Sequence, residues 1–301
     1  TKLRGPIGSF CPVPVEIIGI WKSAWGPKQD IILAKMGGKA LRTNVAGGMS
    51  GSPVYIDGKL VGAVALRISV FSPDAICGIT PIRLMLDIND FDKTKPIEAR
   101  TPDRISTSAA LDLSKMPGDL LSRVVSAGAS LPAEGAPLIT PITTPITFSG
   151  FSPAAVKEFA PVFDQLGLTA VQGGAASTLN SAVPAKDWRT SLHPGDSVVA
   201  VLVSGDMSMT GSGTVTYTDG KRVLAFGHPM FNLGPVEMPM AKEEILTTLA
   251  SSYQPTKMGN AGEIVGALKQ DRHSGILGEL GAIAEMIPVA LHVHSYNSDH
   301  S

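Results

Sequence analysis

Two Asp-Gly pairs, each set between alternating apolar runs, constrain this chain more than any other feature. "VYIDGKLV" (54–61) and "VTYTDGKRVLAF" (215–226) are hairpin signals, because the tight turn between antiparallel strands needs positive φ, which aspartate tolerates and glycine adopts freely. One lies near the front of the chain and one past its middle, so antiparallel sheet is expected in both halves. Composition agrees: aromatics are only 5%, glycine (32) and proline (23) are plentiful, and the apolar runs are short and valine-rich, which favours strands and turns.

Around these hairpins the pattern divides the 301 residues into two β units and a connector: 1–91, 92–190 and 191–301. Strands are expected at 13–20, 29–36, 53–57 and 60–67, with Pro81 opening a short helix. From 92 to 150 the sequence turns Lys/Pro/Thr/Ser-rich, and the repeated prolines of "APLITPITTPITF" suit extended or edge segments and exclude a central strand. A helix over 152–167 is predicted from Ser152 as N-cap, Pro153 in the first position and Gly167 at the end, with a kink at Pro161. Strands follow at 196–204, 207–218, 222–226, 263–269 and 286–293, with a helix over 241–251.

Twenty-five Lys and Arg against 26 Asp and Glu, without blocks of one sign, exclude the electrostatic footprint of a nucleic-acid or anionic-membrane binder. No apolar run approaches the roughly 20 residues of a membrane helix. Cys11 and Cys77 are read as buried thiols in preference to a disulfide. The histidines have no metal-ligand spacing, so neither a metal nor a cofactor is expected. Oligomeric state is not legible.

The chemistry concentrates in "AGGMSGSP" (46–53). It differs from the Gly-x-Ser-x-Gly elbow of α/β-hydrolases at position 52 and precedes a hairpin where that elbow needs a helix. It resembles instead the serine turn of trypsin-like proteases, in which a glycine two before the serine lets two backbone N–H groups converge. Such donors stabilise an oxyanion by about 3 to 4 kcal/mol each. On that match Ser50 is the nucleophile, the N–H groups of Gly48 and Ser50 form the oxyanion hole, Ser52 is structural, and Asn44 falls near the floor of the substrate pocket, arguing against a preference for Lys or Arg. A serine needs a base. His228, in a glycine-flanked turn at a strand end, is the best placed; His193 and His273 are alternatives. The base needs a carboxylate, which in trypsin-like chains follows the histidine by about 45 residues. Asp271 stands near that interval, with Asp30, Asp196, Asp206 and Glu243 left open.

"GGMSGSPVYIDGKLVGAV" together with "VLAFGHP" is similar to the SpoIVB-type serine peptidases, over roughly 13–90 and 190–292. The resemblance implies a trypsin-like double β-barrel with serine on Ser50 and histidine on His228. Those peptidases place histidine before serine, so this chain resembles them in permuted order, with the serine-bearing barrel N-terminal. The aspartate they carry ahead of the serine falls on Lys35. The expected function is therefore a serine endopeptidase acting on an extended protein or peptide segment. Relatives that work outside the cytoplasm and a first residue other than Met point to an extracytoplasmic location. The competing readings are a peptide-docking module on a protease-like fold and an esterase.

Overall fold

The computed structural model describes residues 12–68, 72–96, 139–174, 179, 183–251 and 254–292, and these form a mainly β structure built on two sheets. Cys11, His294 and His300 lie outside the described residues.

The first sheet contains β1 (Val15–Trp21), β2 (Ile31–Met36), β3 (Ser52–Ile56), β4 (Lys59–Arg67) and β5 (Ile76–Pro81). Short helices α1 (Ala40–Thr43) and α2 (Ile82–Leu86) flank it, α2 opening at Pro81 as expected. The strand order β1-β2-β5-β4-β3 is open, and β6 (Thr140–Pro141) pairs with the end of β4. Its turn residues Asp57 and Gly58, at φ 49° and 75°, close the β3–β4 hairpin in the primed geometry that matches strand twist. Val45, Val54, Val64, Ile79 and Ile142 are buried beneath it. Cys77 is a buried free thiol there, its pKa pushed up to about 12 by burial.

The second sheet contains β7 (Thr144–Ser149), β8 (Leu168–Gln172), β9 (Ser197–Val203), β10 (Ser208–Thr218), β11 (Arg222–Ala225), β12 (Gly234–Leu249), β13 (Thr256–Arg272) and β14 (Gly275–Leu280). Because β10 pairs with β11 as well as with β9, the run β9-β10-β11-β14-β13-β12 closes on itself, leaving β7 and β8 outside it. Val198, Ala200, Val215, Phe226, Met240, Leu268 and Ile276 are among the buried residues of this ring-like sheet. Helix α3 (Pro153–Gln165) packs by β8 with the predicted cap: Ser152 Oγ accepts from Ala155 N at 3.2 Å, and Gly167 ends it at φ 72°.

Four expectations change. The stretch 241–251 is not a helix: its Glu, Lys, Leu and Ala favour helix in isolation, but residues 234–249 pair along β13, and this ladder overrides propensity. No strand forms over 286–292, where Ile287, Val289 and Leu291 stand more than 80% exposed; an alternating run becomes a strand only with an edge to pair against. The proline-rich connector supplies strands. In it β7 lies between β10 and β8, and Pro145 is accommodated because only Ile146–Ser149 face β10. Finally, the second Asp-Gly pair makes a four-residue loop between Thr218 and Val223, with Asp219 Oδ1 accepting from Lys221 N and Arg222 N.

Candidate active site

The Ser50 turn is wedged between the two sheets. Gly51, at φ 92°, is required by contact as well as by backbone: a Cβ there would lie 2.0 Å from the Thr214 carbonyl oxygen, far inside van der Waals separation. From β10, Thr214 N donates to Ser50 O (2.8 Å), Thr214 Oγ1 to Gly48 O (2.9 Å) and Thr216 Oγ1 to Gly51 O (2.7 Å). Thr214 and Thr216 belong to a buried Ser/Thr series, Ser208, Thr210, Ser212, Thr214 and Thr216, whose two-residue spacing puts all five on one face of β10.

Two amides of this turn are left over. Gly47 N donates to Pro255 O, Met49 N to Ala46 O, Gly51 N to Val64 O and Ser52 N to Met49 O, whereas the N–H groups of Gly48 and Ser50 meet no acceptor among the described residues. Their orientation is fixed nonetheless. In a trans peptide the N–H points opposite its own carbonyl, and those carbonyls are tied down: Gly47 O accepts from Lys257 N (2.9 Å) and Met49 O from Ser52 N (3.0 Å).

The His228 turn is held from the opposite direction. Thr80 Oγ1, on β5, donates to Gly227 O at 2.6 Å. Gly227 itself packs so close to β4 that a Cβ would meet that of Ala63 at 3.0 Å and of Ala65 at 3.1 Å. Since Gly51 N is bonded to Val64 O, between those alanines, the serine and histidine turns meet over the same stretch of β4. Ser50 is 0% and His228 2% exposed. Among the described residues, Ser50 Oγ and His228 Nε2 have no hydrogen-bond partner, so they are not bonded to each other.

His228 Nδ1 lies 2.7 Å from Pro229 O. A carbonyl only accepts, so Nδ1 carries the proton and Nε2 the lone pair. Burial holds the imidazole neutral, lowering its pKa to about 4 against the opposing pull of the Pro229 and Ile142 carbonyls. The tautomer a serine base requires is thus set by main chain.

Asp271 does not touch the ring. Its Oδ1 accepts from Met230 N (2.9 Å), and its Oδ2 accepts from Phe231 N (2.7 Å) and from Leu233 N (3.5 Å). Fully buried, the carboxyl has its pKa raised to about 6 by desolvation, which outweighs the amides that favour the charge. The expectation of a direct Asp271–His228 pair is corrected: spacing found the carboxylate nearest the histidine turn, but its acceptors are saturated by the backbone of residues 230–233. Asn44 is likewise committed, its Oδ1 to Val45 N and its Nδ2 to Ser72 O, in a left-handed conformation (φ 55°).

The other candidates are engaged elsewhere. His193 pairs with Asp196 at the surface, and His273 stacks on Trp25 and contacts its carbonyl. Asp30 accepts from Ser23 N, Asp206 is exposed, and Lys35 forms a surface ion pair with Asp74. Glu243 is buried and accepts from Ser197 Oγ and Ser212 Oγ; desolvation raises its pKa. Sequence reasoning missed Thr80, Thr214, Thr216 and Lys257. For the β10 hydroxyls a signal existed: a strand alternating Ser or Thr with Gly and apolar residues, "SMTGSGTVT", has a polar face, which if buried must hydrogen-bond something. Compared with known proteins, the chain matches no family model, no curated protein and no solved structure.

Proposed function

We propose that this chain is a serine endopeptidase related to the SpoIVB-type peptidases, of permuted trypsin-like architecture in which the serine-bearing sheet is an open half-barrel and the histidine-bearing sheet closes into a ring. One observation carries the reading: four groups that meet no partner among the described residues, Ser50 Oγ, His228 Nε2 and the N–H groups of Gly48 and Ser50, belong to two turns that meet over β4. Unpaired buried polar groups cost about 1 to 3 kcal/mol apiece, and a reacting acyl group supplies a partner for each. In the reaction Nε2 removes the Ser50 proton as Oγ attacks the carbonyl carbon of an extended peptide. The two amides hold the oxyanion, the imidazolium returns the proton to the leaving amine, and water releases the acyl-enzyme by the same route. Pro229 O performs the orienting task usually given to aspartate, while Asp271 holds the loop behind it. The extracytoplasmic setting of the peptidases it resembles goes with this reading.

The burial of Ser50 and His228, and the lack of a bond between them, favour a second reading, a non-catalytic peptide-docking module. A fluorophosphonate probe separates the two. Labelling of the wild-type chain at Ser50, abolished by Ser50→Ala and by His228→Gln, supports the peptidase. Absence of labelling while an unfolded protein still binds supports the module. Cleavage of unfolded casein distinguishes a peptidase from an esterase, which turns over esters alone.

A further inference from the structure

Lys257 is half-buried, with its ammonium turned inward onto Thr214. Its Nζ donates to Thr214 Oγ1 at 2.8 Å, and Thr214 Oγ1 in turn meets Gly48 O at 2.9 Å. Its stem packs flat on Gly48, where a Cβ would meet its methylenes at 3.2 and 3.3 Å, and its own amide donates to Gly47 O. The chain of bonds has one possible sense. An ammonium has protons and no lone pair, so it donates; the Thr214 hydroxyl accepts, and its single proton is left for Gly48 O.

From this geometry we infer that Lys257, acting through the Thr214 hydroxyl, is a positioning residue for the Ser50 turn. The relay fixes the peptide plane between Gly48 and Met49, which lies between the two planes carrying the free amides. It thereby holds the gap between the oxyanion donors at one value. The placement of charge supports this: burial lowers the Lys257 pKa to about 8, while Glu243 favours its charged form. A lysine placed only for packing would leave its ammonium in water. The inference rests on Ser50 being the nucleophile.

The test compares the rate at which a fluorophosphonate labels Ser50 in the wild type, Thr214→Val, Thr214→Ser, Lys257→Met and the double variant Thr214→Val/Lys257→Met. Valine keeps the shape of threonine and loses the hydroxyl; serine keeps the hydroxyl and loses the methyl. The relay requires Thr214→Val and Lys257→Met to label about ten- to a hundredfold more slowly, the range for a slightly misplaced catalytic group. It also requires Thr214→Ser to stay near wild type and the double variant to be no slower than Thr214→Val. Serine as slow as valine, or valine as fast as wild type, overturns it. Amide hydrogen exchange over 46–51 provides a readout independent of chemistry: faster in Thr214→Val and Lys257→Met and protected in Thr214→Ser if the relay holds the turn, unchanged in all three if it does not. A wild type that never labels ends the peptidase reading and with it the catalytic role of the relay, and the exchange data then decide the anchoring alone.

Discussion

The serine turn and the histidine turn meet over β4 but are anchored by different physics. The Ser50 turn belongs to the open first sheet, yet the hydrogen bonds from outside it come from the ring: the hydroxyls of Thr214 and Thr216 and the amides of Thr214 and Lys257. The His228 turn belongs to the ring and is held mainly from within, by the buried Asp271 carboxylate accepting three amides, with one cross-bond from Thr80. Neutral donors reaching across an interface fix the serine turn only while the two sheets stay docked. A buried carboxylate fixes the histidine turn within one sheet. The histidine turn is therefore fixed within one sheet, whereas the serine turn depends on docking between the two.

The largest effect falls on the charged anchor. Asp271→Ala strands three buried amides and is expected to cost about 3 to 5 kcal/mol, measured as a drop in urea midpoint; a loss under about 1 kcal/mol would mean that this carboxylate does not hold the histidine turn. Next is Gly51→Ala, which forces a methyl against the Thr214 carbonyl at an unfavourable φ and is expected to cost about 3 kcal/mol. It acts by pushing the sheets apart, so the loss should be accompanied by faster proteolysis between the units. Thr80→Val removes the one cross-bond to Gly227 and is expected to cost about 1 to 2 kcal/mol, with exchange at residues 227–230 rising less than exchange at 46–51 rises in Thr214→Val.

The smallest effect is in pH dependence, and it separates two groups of opposite sign, His228 in the turn and Asp271 on β13 behind it. His228, with a pKa of about 4 in the fold against an ordinary 6.5, contributes stability that is intact above pH 6.5 and lost on acidification toward 4. Asp271, raised from 3.8 to about 6, contributes stability that is greatest below pH 3.8 and lost as pH rises through 6. Between pH 4 and 6 the two offset each other. Asp271→Asn removes one of them, so urea titrations should show the variant losing stability on acidification more steeply than wild type; parallel curves would contradict these assignments. Labelling of Ser50 should rise as pH passes about 4 and then level off as Nε2 loses its proton.

Much of this was legible along the chain, wherever the cause is local. The β3–β4 hairpin follows from Asp57-Gly58, α3 from its serine cap and closing glycine, and the candidacy of Ser50 from the glycines around it. Misreadings arose where a remote partner decides. Residues 241–251 have a helical composition, yet 241–249 are strand because β13 lies alongside. Residues 286–292 alternate like a strand and have no edge to join. Asp271 stood at a plausible interval from His228, but interval says nothing of which donors reach a carboxylate first.

By itself, then, the amino-acid order determined two antiparallel units, a glycine-rich serine turn too tight for side chains, and a histidine in a turn of its own, because φ preferences and periodicity act over a few neighbouring residues. Tertiary structure alone decided that the two turns meet over β4, that Asp271 supports a loop 38 to 41 residues away and leaves the imidazole ring untouched, and that Thr214 and Lys257 stand behind Gly48. Hydrogen bonds are satisfied between groups brought within about 3 Å of each other, and for groups more than a hundred residues apart in the chain only the packing of one sheet on the other supplies that proximity.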